Sequence, residues 1–180
     1  MRVITGTARG KKLKEPSDYS IRPTTDKVKE SIFNILQFDI EGRKVLDLFA
    51  GTGQLGIECL SRGADSVVFV DQSREAVSIV KENLKNCGFE ARVVQDDSIS
   101  FLSRGGKYDI ILIDPPYASG LVDKALQIIN SVDILSEGGI IMCETAREKP
   151  MPDMISPYFR IKEYTYGKVK LTTYSKETGR

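Results

Sequence analysis

Short runs rich in Val and Ile recur along the chain at 44–49 (KVLDLF), 66–71 (SVVFVD), 91–95, 108–113 (YDIILI) and 139–143 (GIIMC). Between them the apolar residues switch to helical spacing. Continuous apolar runs suit strands covered on both faces, and a helix between consecutive strands is what a parallel connection requires. Helices are expected after Thr24 or Thr25, where Val28, Ile32, Ile35 and Leu36 recur, then over about 54–62, 73–86, 98–103 and 120–132. Ser73 is placed to cap the third of these and Gly88 to end it. After Pro150, Pro152 and Pro157 the pattern changes. Residues 159–165 and 168–175 alternate and meet at Gly167, as in an antiparallel hairpin. The expected fold is α/β: an open, doubly wound, mostly parallel seven-stranded sheet with five parallel strands and a C-terminal antiparallel hairpin. Residues 2–5 and 12–14, flanking Gly6 and Gly10, add a small N-terminal hairpin. Ligands of such a sheet sit beyond the carboxyl ends of its strands.

The chain has 180 residues, 41% of them apolar and 28% charged, enough for one domain with one substantial core. No apolar run approaches the roughly 18 residues of a membrane span. The start, MRVITGTARGKKLKEP, lacks the apolar stretch of a secretory signal. Cys59, Cys87 and Cys143 are odd in number and far apart, which fits a reducing cytoplasm. No histidine is present. Imidazole acid–base chemistry and His-based triads are therefore excluded, and no metal site is expected.

The net charge of +1 conceals an uneven distribution. Residues 1–30 carry eight Lys and Arg against four acids, residues 31–150 carry 12 against 18, and residues 151–180 carry six against three. Basic ends around an acidic middle suit a polyanion bound at the periphery. A solvated strand pair would give the same N-terminal pattern.

Asp47-Leu48-Phe49-Ala50-Gly51-Thr52-Gly53-Gln54-Leu55-Gly56 lies where the first long strand turns into a helix. Gly51, Gly53 and Gly56 fit G-x-G-x-x-G, and Asp71 ends the next strand, 18 residues after Gly53. Glycines let a backbone approach a nucleoside, and an acid at that distance accepts from ribose hydroxyls. The glycines alone would also suit a plain tight turn. A dinucleotide site aims its turn at a pyrophosphate. Asp47, four residues before the first glycine, would repel that group and instead suits a cationic ligand end such as an ammonium.

Asp114-Pro115-Pro116-Tyr117 follows the strand at 108–113 directly. An acid or amide, two prolines and an aromatic residue arise by chance in about one chain of this length in a hundred. An exocyclic amine on a nucleobase is a poor nucleophile because its lone pair is delocalised into the ring. The Asp114 carboxylate and the Pro115 carbonyl are both placed to accept from that NH2, and proline fixes its carbonyl without adding a competing N–H. Tyr117 offers a stacking face worth about 1–3 kcal/mol by analogy with single-strand binders. The cationic nitrogen formed when such an amine attacks an electrophile is acidic and loses its proton readily, so no strong base is needed.

These motifs resemble those of S-adenosylmethionine-dependent methyltransferases, and D-P-P-Y resembles the amino-methyltransferase signature used on adenine, cytosine and guanine amines. The stretches R-V-I-T-G-T-A-R-G-K-K-L (2–13), R-P-T-T-D-K-V-K-E-S-I-F-N-I-L (22–36), L-F-A-G-T-G-Q-L-G-I-E-C-L-S-R-G-A (48–64) and D-P-P-Y are together similar to one family. It is the bacterial 16S rRNA guanine-N2 methyltransferases of the RsmD type, whose fold is Rossmann-like and whose target is guanine 966. The resemblance implies a single methyltransferase domain over 1–180, with 1–20 as an RNA-contacting extension. It implies catalytic roles for Asp114, Pro115 and Tyr117, and S-adenosylmethionine held by Asp47, Phe49, Gly51, Gly53, Asp71, Asp97, Ser98 and Thr25. Asp97 suits an ordinary helix cap as well. RNA contacts fall to Arg2, Arg9, Lys11, Lys12 and Arg22, with Lys168 and Lys170 as lesser candidates. The implied partner is 16S rRNA in a small subunit or its assembly intermediate, met in the cytoplasm by a monomer. The same chemistry on adenine, cytosine or a protein glutamine, a nicotinamide-dependent oxidoreductase, and a non-catalytic RNA-binding protein that keeps the fold are the competing readings.

Overall fold

In the computed structural model of the protein, residues 1–16, 25–117 and 119–177 are described. Helix α1 (Asp26–Ile35) leads to β1 (Lys44–Asp47), α2 (Gln54–Ser61), β2 (Ser66–Asp71), α3 (Arg74–Cys87), β3 (Arg92–Gln95), α4 (Ser98–Ser103) and β4 (Tyr108–Ile113). Helix α5 (Leu121–Val132), β5 (Leu135–Ala146), β6 (Tyr158–Tyr166) and β7 (Val169–Lys176) complete the order. The seven strands form one sheet in the order β3-β2-β1-β4-β5-β7-β6. The first five pair in parallel, and β7 is antiparallel to both β5 and β6. The strand order reverses between β1 and β4, which makes their carboxyl ends the switch point of the sheet. None of the described helices is long and apolar enough to cross a membrane.

Alternation along each strand divides the core in two. Val45, Phe69, Ile110, Leu112, Met142 and Leu171 face a cluster with Val28, Ile32 and Phe33 of α1, Leu55 of α2 and Val80 and Leu84 of α3. Their neighbours Leu46, Val68, Ile111, Ile113, Ile141 and Tyr174 face Phe101 and Leu102 of α4 and Val122, Leu126 and Ile129 of α5. Both faces are therefore covered at the centre of the sheet, which is why β2 and β4 are apolar almost throughout rather than half polar. The caps fall as the sequence suggests. Ser73 Oγ accepts the Ala76 N–H at 3.2 Å, and Gly88 ends α3 in the left-handed conformation.

The strands differ from the sequence reading most at β1 and β5, β5 also running on to Ala146, while β3, β6 and β7 shift by a single residue at their ends. The first strand ends at Asp47 rather than at residue 49, because the chain turns out of the sheet there while the Leu48 N–H still donates to the Leu112 carbonyl at 3.1 Å. Strand β5 begins at Leu135 rather than at 139. It pairs Leu135 with Tyr108, then accommodates a register shift before Ile140 meets Ile110. The polar Ser136-Glu137-Gly138-Gly139 stretch lies in that irregularity, which hides the strand from a period-based reading.

The N-terminal hairpin is tied to the domain by one buried carboxylate. Glu58 of α2 accepts the Ile4 and Thr5 N–H groups at 2.8 and 2.9 Å, pairs with Arg62 Nε at 3.0 Å, and lies 3.7 Å from Lys29 Nζ. Lys29, itself fully buried, donates to the Arg2 carbonyl at 2.6 Å. Ser61 accepts the Ala8 N–H and donates to the Thr5 carbonyl. Gly6 passes so close to Ser61 that a Cβ there would lie 1.7 Å from its carbonyl oxygen. Val3, Ala8 and Leu13 join the core beneath, while a bridge pairs Arg2 with Lys12.

Candidate active site

Four strands deliver a carboxylate to the same face of the sheet near their carboxyl ends: Asp47 and Asp71 as the last residues of β1 and β2, Asp114 just beyond β4, and Glu144 two residues inside the end of β5. Asp71 ends β2 and Asp47 ends β1, both in phase with Phe69 and Val45 of the α1–α3 face. Asp114 stands two residues beyond Leu112, which pairs with Asp47. Glu144 stands two beyond Met142, the partner of Leu112. No group of three acids among the described residues is arranged to hold a metal ion.

Asp47 is the most constrained of the four. It is 2% exposed, and its Oδ2 accepts the Gly56 N–H at 3.0 Å. Burial pushes its carboxyl up to about 7, the Gly56 hydrogen bond opposes that, and the negative neighbours Asp114 and Asp71 add to it. A carboxylate held this way gains from an approaching cation. Gly56 is required for the arrangement. A Cβ there would lie 2.3 Å from the Phe69 ring and 3.0 Å from Asp47 Oδ2, so only glycine lets α2 close onto β1 and β2.

Asp71 organises the turn. Its Oδ2 accepts the Gly51 N–H at 2.9 Å and its Oδ1 the Ser73 N–H at 2.8 Å, joining the glycine turn to the start of α3. Gly53, with φ at +77°, is the residue before α2. Fully buried Asn83 of α3 fixes the turn from below. It donates to the Thr52 carbonyl at 3.0 Å and exchanges hydrogen bonds with the Lys14 backbone at 2.7 and 3.1 Å. Met1 also reaches this turn, its sulfur accepting from Thr52 Oγ1 at 3.6 Å. Asn83, Thr52 and Glu58 escaped the sequence reading because, apart from Arg62 one helical turn from Glu58, their partners lie 29 to 69 residues away in the chain.

The remaining expected site residues fall into distinct settings. Phe49 is half-buried against the α4–α5 cluster. Ser98 is buried and donates to the Leu48 carbonyl at 2.6 Å, while Asp97 caps α4 by accepting the Ser100 N–H at 2.8 Å. Thr25 caps α1 through the Val28 N–H at 3.4 Å. Beyond β4, Asp114 is half-buried and Pro115 buried, and Tyr117 is 43% exposed, its hydroxyl donating to Glu144 Oε1 at 3.0 Å. Arg2, Arg9, Lys11 and Lys12 are exposed on the N-terminal hairpin. Arg22 lies outside the described residues. Lys168 is exposed beside the β6–β7 turn, whereas Lys170 is half-buried and donates to the Lys149 carbonyl.

Glu144 was not singled out from the sequence, although a signal for it exists. The runs KVLD, SVVFVD, YDIILID and GIIMCE each close an apolar strand with an acid. In a parallel sheet, equivalent strand ends lie side by side, so the repeated ending marks one site.

Comparison with known proteins places this geometry. The sequence model of the family described as "Conserved hypothetical protein 95" matches residues 1–175. The ribosomal RNA small subunit methyltransferase D of Escherichia coli (strain K12) is 33% identical over 98% of this chain and 90% of its own length. The chain belongs to the RsmD family. Bacillus subtilis (strain 168) YlbH is 40% identical, covering 98% of this chain and 99% of that protein. Among solved structures, E. coli yhhF superposes with a TM-score of 0.90 at 32% identity, spanning 98% of both chains. A Pyrococcus horikoshii protein at 22% identity, TM-score 0.71, shares the fold alone. The RsmD-type, Rossmann-like methyltransferase fold thus extends from the docked hairpin to β7.

Proposed function

We propose that the chain transfers a methyl group from S-adenosylmethionine to the exocyclic N2 amine of a guanine in small-subunit (16S) rRNA. Family membership supports rRNA methylation, since the E. coli relative is named a small-subunit rRNA methyltransferase. The observation that carries the chemistry is that Asp47 and Asp114 stand at the neighbouring β1 and β4 strand ends of the switch point, near enough for the Asp114 charge to help raise the Asp47 carboxyl, with Pro115 next in the chain.

The residues around the glycine turn fit this cofactor. Asp47 offers a buried negative charge whose own surroundings are unfavourable until a cation arrives, and the cofactor's ammonium supplies one. Asp71 retains acceptor capacity for ribose hydroxyls beside its two backbone donors, since a carboxylate has about four acceptor sites. Asp97 and Ser98 border the adenine end, with Phe49, Gly51, Gly53 and Thr25 completing the pocket. Bound S-adenosylmethionine supplies a methyl group on a cationic sulfur, ready for in-line displacement.

Asp114 and the Pro115 carbonyl accept the two amine hydrogens and aim the nitrogen lone pair. Tyr117 stacks on a base that is flipped out or already in a loop. Catalysis is then positioning with electrostatic support, and no imidazole is called for. Arg2, Arg9, Lys11, Lys12 and Arg22 contact phosphates, which orient the RNA without specifying sequence. The substrate is 16S rRNA in a small subunit or assembly intermediate, and the enzyme works in the cytoplasm as a monomer. Calorimetric titration with S-adenosylmethionine and with NAD, followed by labelled-methyl transfer to separated ribosomal subunits, tests the proposal. Binding of the former and label in the small subunit are expected. Binding of NAD, or label confined to the large subunit, would overturn it.

A further inference from the structure

We propose that Glu144 reads the Watson–Crick edge of the acceptor base and makes the site selective for guanine. The inference rests on the function proposed above and identifies the residue that sets its base specificity. Glu144 ends the apolar run of β5 on the same sheet face as Asp114, on the adjacent strand. It is 6% exposed and already touches the D-P-P-Y segment, accepting the Tyr117 hydroxyl at 3.0 Å. With Tyr117 as the stacking platform, the carboxylate, held in place by β5 and its pairing with β7, lies beside the rim of a base stacked there. Asp114 and Pro115, which take the amine, lie just beyond the end of the neighbouring strand β4.

A carboxylate only accepts hydrogen bonds, and its roughly four acceptor sites leave room for a base N–H beside the Tyr117 hydroxyl. Guanine presents two adjacent donors on this edge, the N2 amine and N1–H. With the amine held by Asp114 and Pro115, the neighbouring N1–H falls to Glu144. A base with a lone pair at N1 would face the carboxylate lone pair to lone pair, leaving two buried acceptors unmatched. Sites built on such polar matching reject mismatched analogues far more strongly than apolar pockets do.

The discriminating substrate is 2-aminopurine at the target position of the rRNA, because it keeps the N2 amine but carries an acceptor at N1. The native enzyme is expected to prefer guanine by about a hundredfold or more in kcat/KM. In Glu144→Gln the side-chain amide donates to N1, so the preference should shrink at least about tenfold while S-adenosylmethionine affinity and the melting temperature stay near native. Tyr117→Phe removes the hydroxyl that Glu144 accepts and should leave the guanine-to-2-aminopurine ratio unchanged. Equal loss on both substrates in Glu144→Gln, or a Tyr117→Phe ratio matching that of Glu144→Gln, would overturn the assignment and reduce Glu144 to a prop for Tyr117. If the native enzyme methylates neither base but modifies another nucleotide, the function proposed above fails first, and this assignment with it.

Discussion

Replacing Asp47 by Asn separates the stability of the protein from its affinity for the cofactor. The carboxyl sits about three pH units above its ordinary value of 3.8. At 1.36 kcal/mol per unit, the fold bears a penalty of about 4 kcal/mol once Asp47 is ionised. Between about pH 4 and 7 the folded protein keeps this proton while the unfolded chain has lost it. Stability therefore falls as pH rises through that window and levels off above about 7. Asn keeps an acceptor for the Gly56 N–H, which donates at 3.0 Å, and carries no charge. Cofactor-free Asp47→Asn should thus be the more stable protein, and its advantage should grow by about 3 kcal/mol from pH 5 to pH 8. For a chain of this size that is roughly 6–12 °C of extra difference in Tm. The same substitution should weaken S-adenosylmethionine binding about thirtyfold or more, through loss of a buried charge pair. Native affinity should rise with pH up to about 7, and the variant's should not. Thermal unfolding at the two pH values and calorimetry supply both readouts. A pH-independent Tm difference would refute the burial argument, and native-like affinity in the variant would refute the ammonium role of Asp47.

Three further variants probe the acceptor side. Asp114→Ala should lower kcat at least about a hundredfold, the cost of losing positioned contacts to a transferring group, with cofactor affinity near native. Turnover retained by a correctly folded variant would remove its assigned role. Tyr117→Ala should raise KM for the RNA by roughly tenfold or more, from about 1–3 kcal/mol of stacking, and unchanged kinetics would reject the stack. Neutralising Arg9, Lys11 and Lys12 together should reduce the slope of log K against log salt by about 2, as three phosphate contacts on single-stranded RNA would. An unaltered slope would free the hairpin of that role.

The centre of the sheet was legible because β2 and β4 are buried on both faces and so appear as uninterrupted apolar runs. Val67 to Val70 and Ile110 to Ile113 are examples, with every residue from 7% exposed to fully buried. Caps were legible for a local reason, since Ser73 and Asp97 each satisfy a backbone N–H three residues away. Strand β5 was truncated because Ser136 to Gly139 breaks the apolar period while the backbone still pairs. Tertiary anchoring was not legible at all. Fully buried Lys29 appears in the sequence as one charged residue of an amphipathic helix, yet it neighbours Glu58 and holds the Arg2 carbonyl. Buried Asn83, similarly, ties Lys14 to Thr52. Such pairs depend on helix faces that meet only after folding. The site was legible where chemistry is compressed into a motif, as in Asp114 to Tyr117. Glu144 carries no motif and emerges from the register of four strand ends.

The most direct test of the central claim is nucleoside analysis after labelled-methyl transfer to small ribosomal subunits from cells lacking this protein. N2-methylguanosine is the expected labelled product, formed by the native enzyme and not by Asp114→Ala. Label recovered as N6-methyladenosine or as a methylated cytosine would contradict the claim.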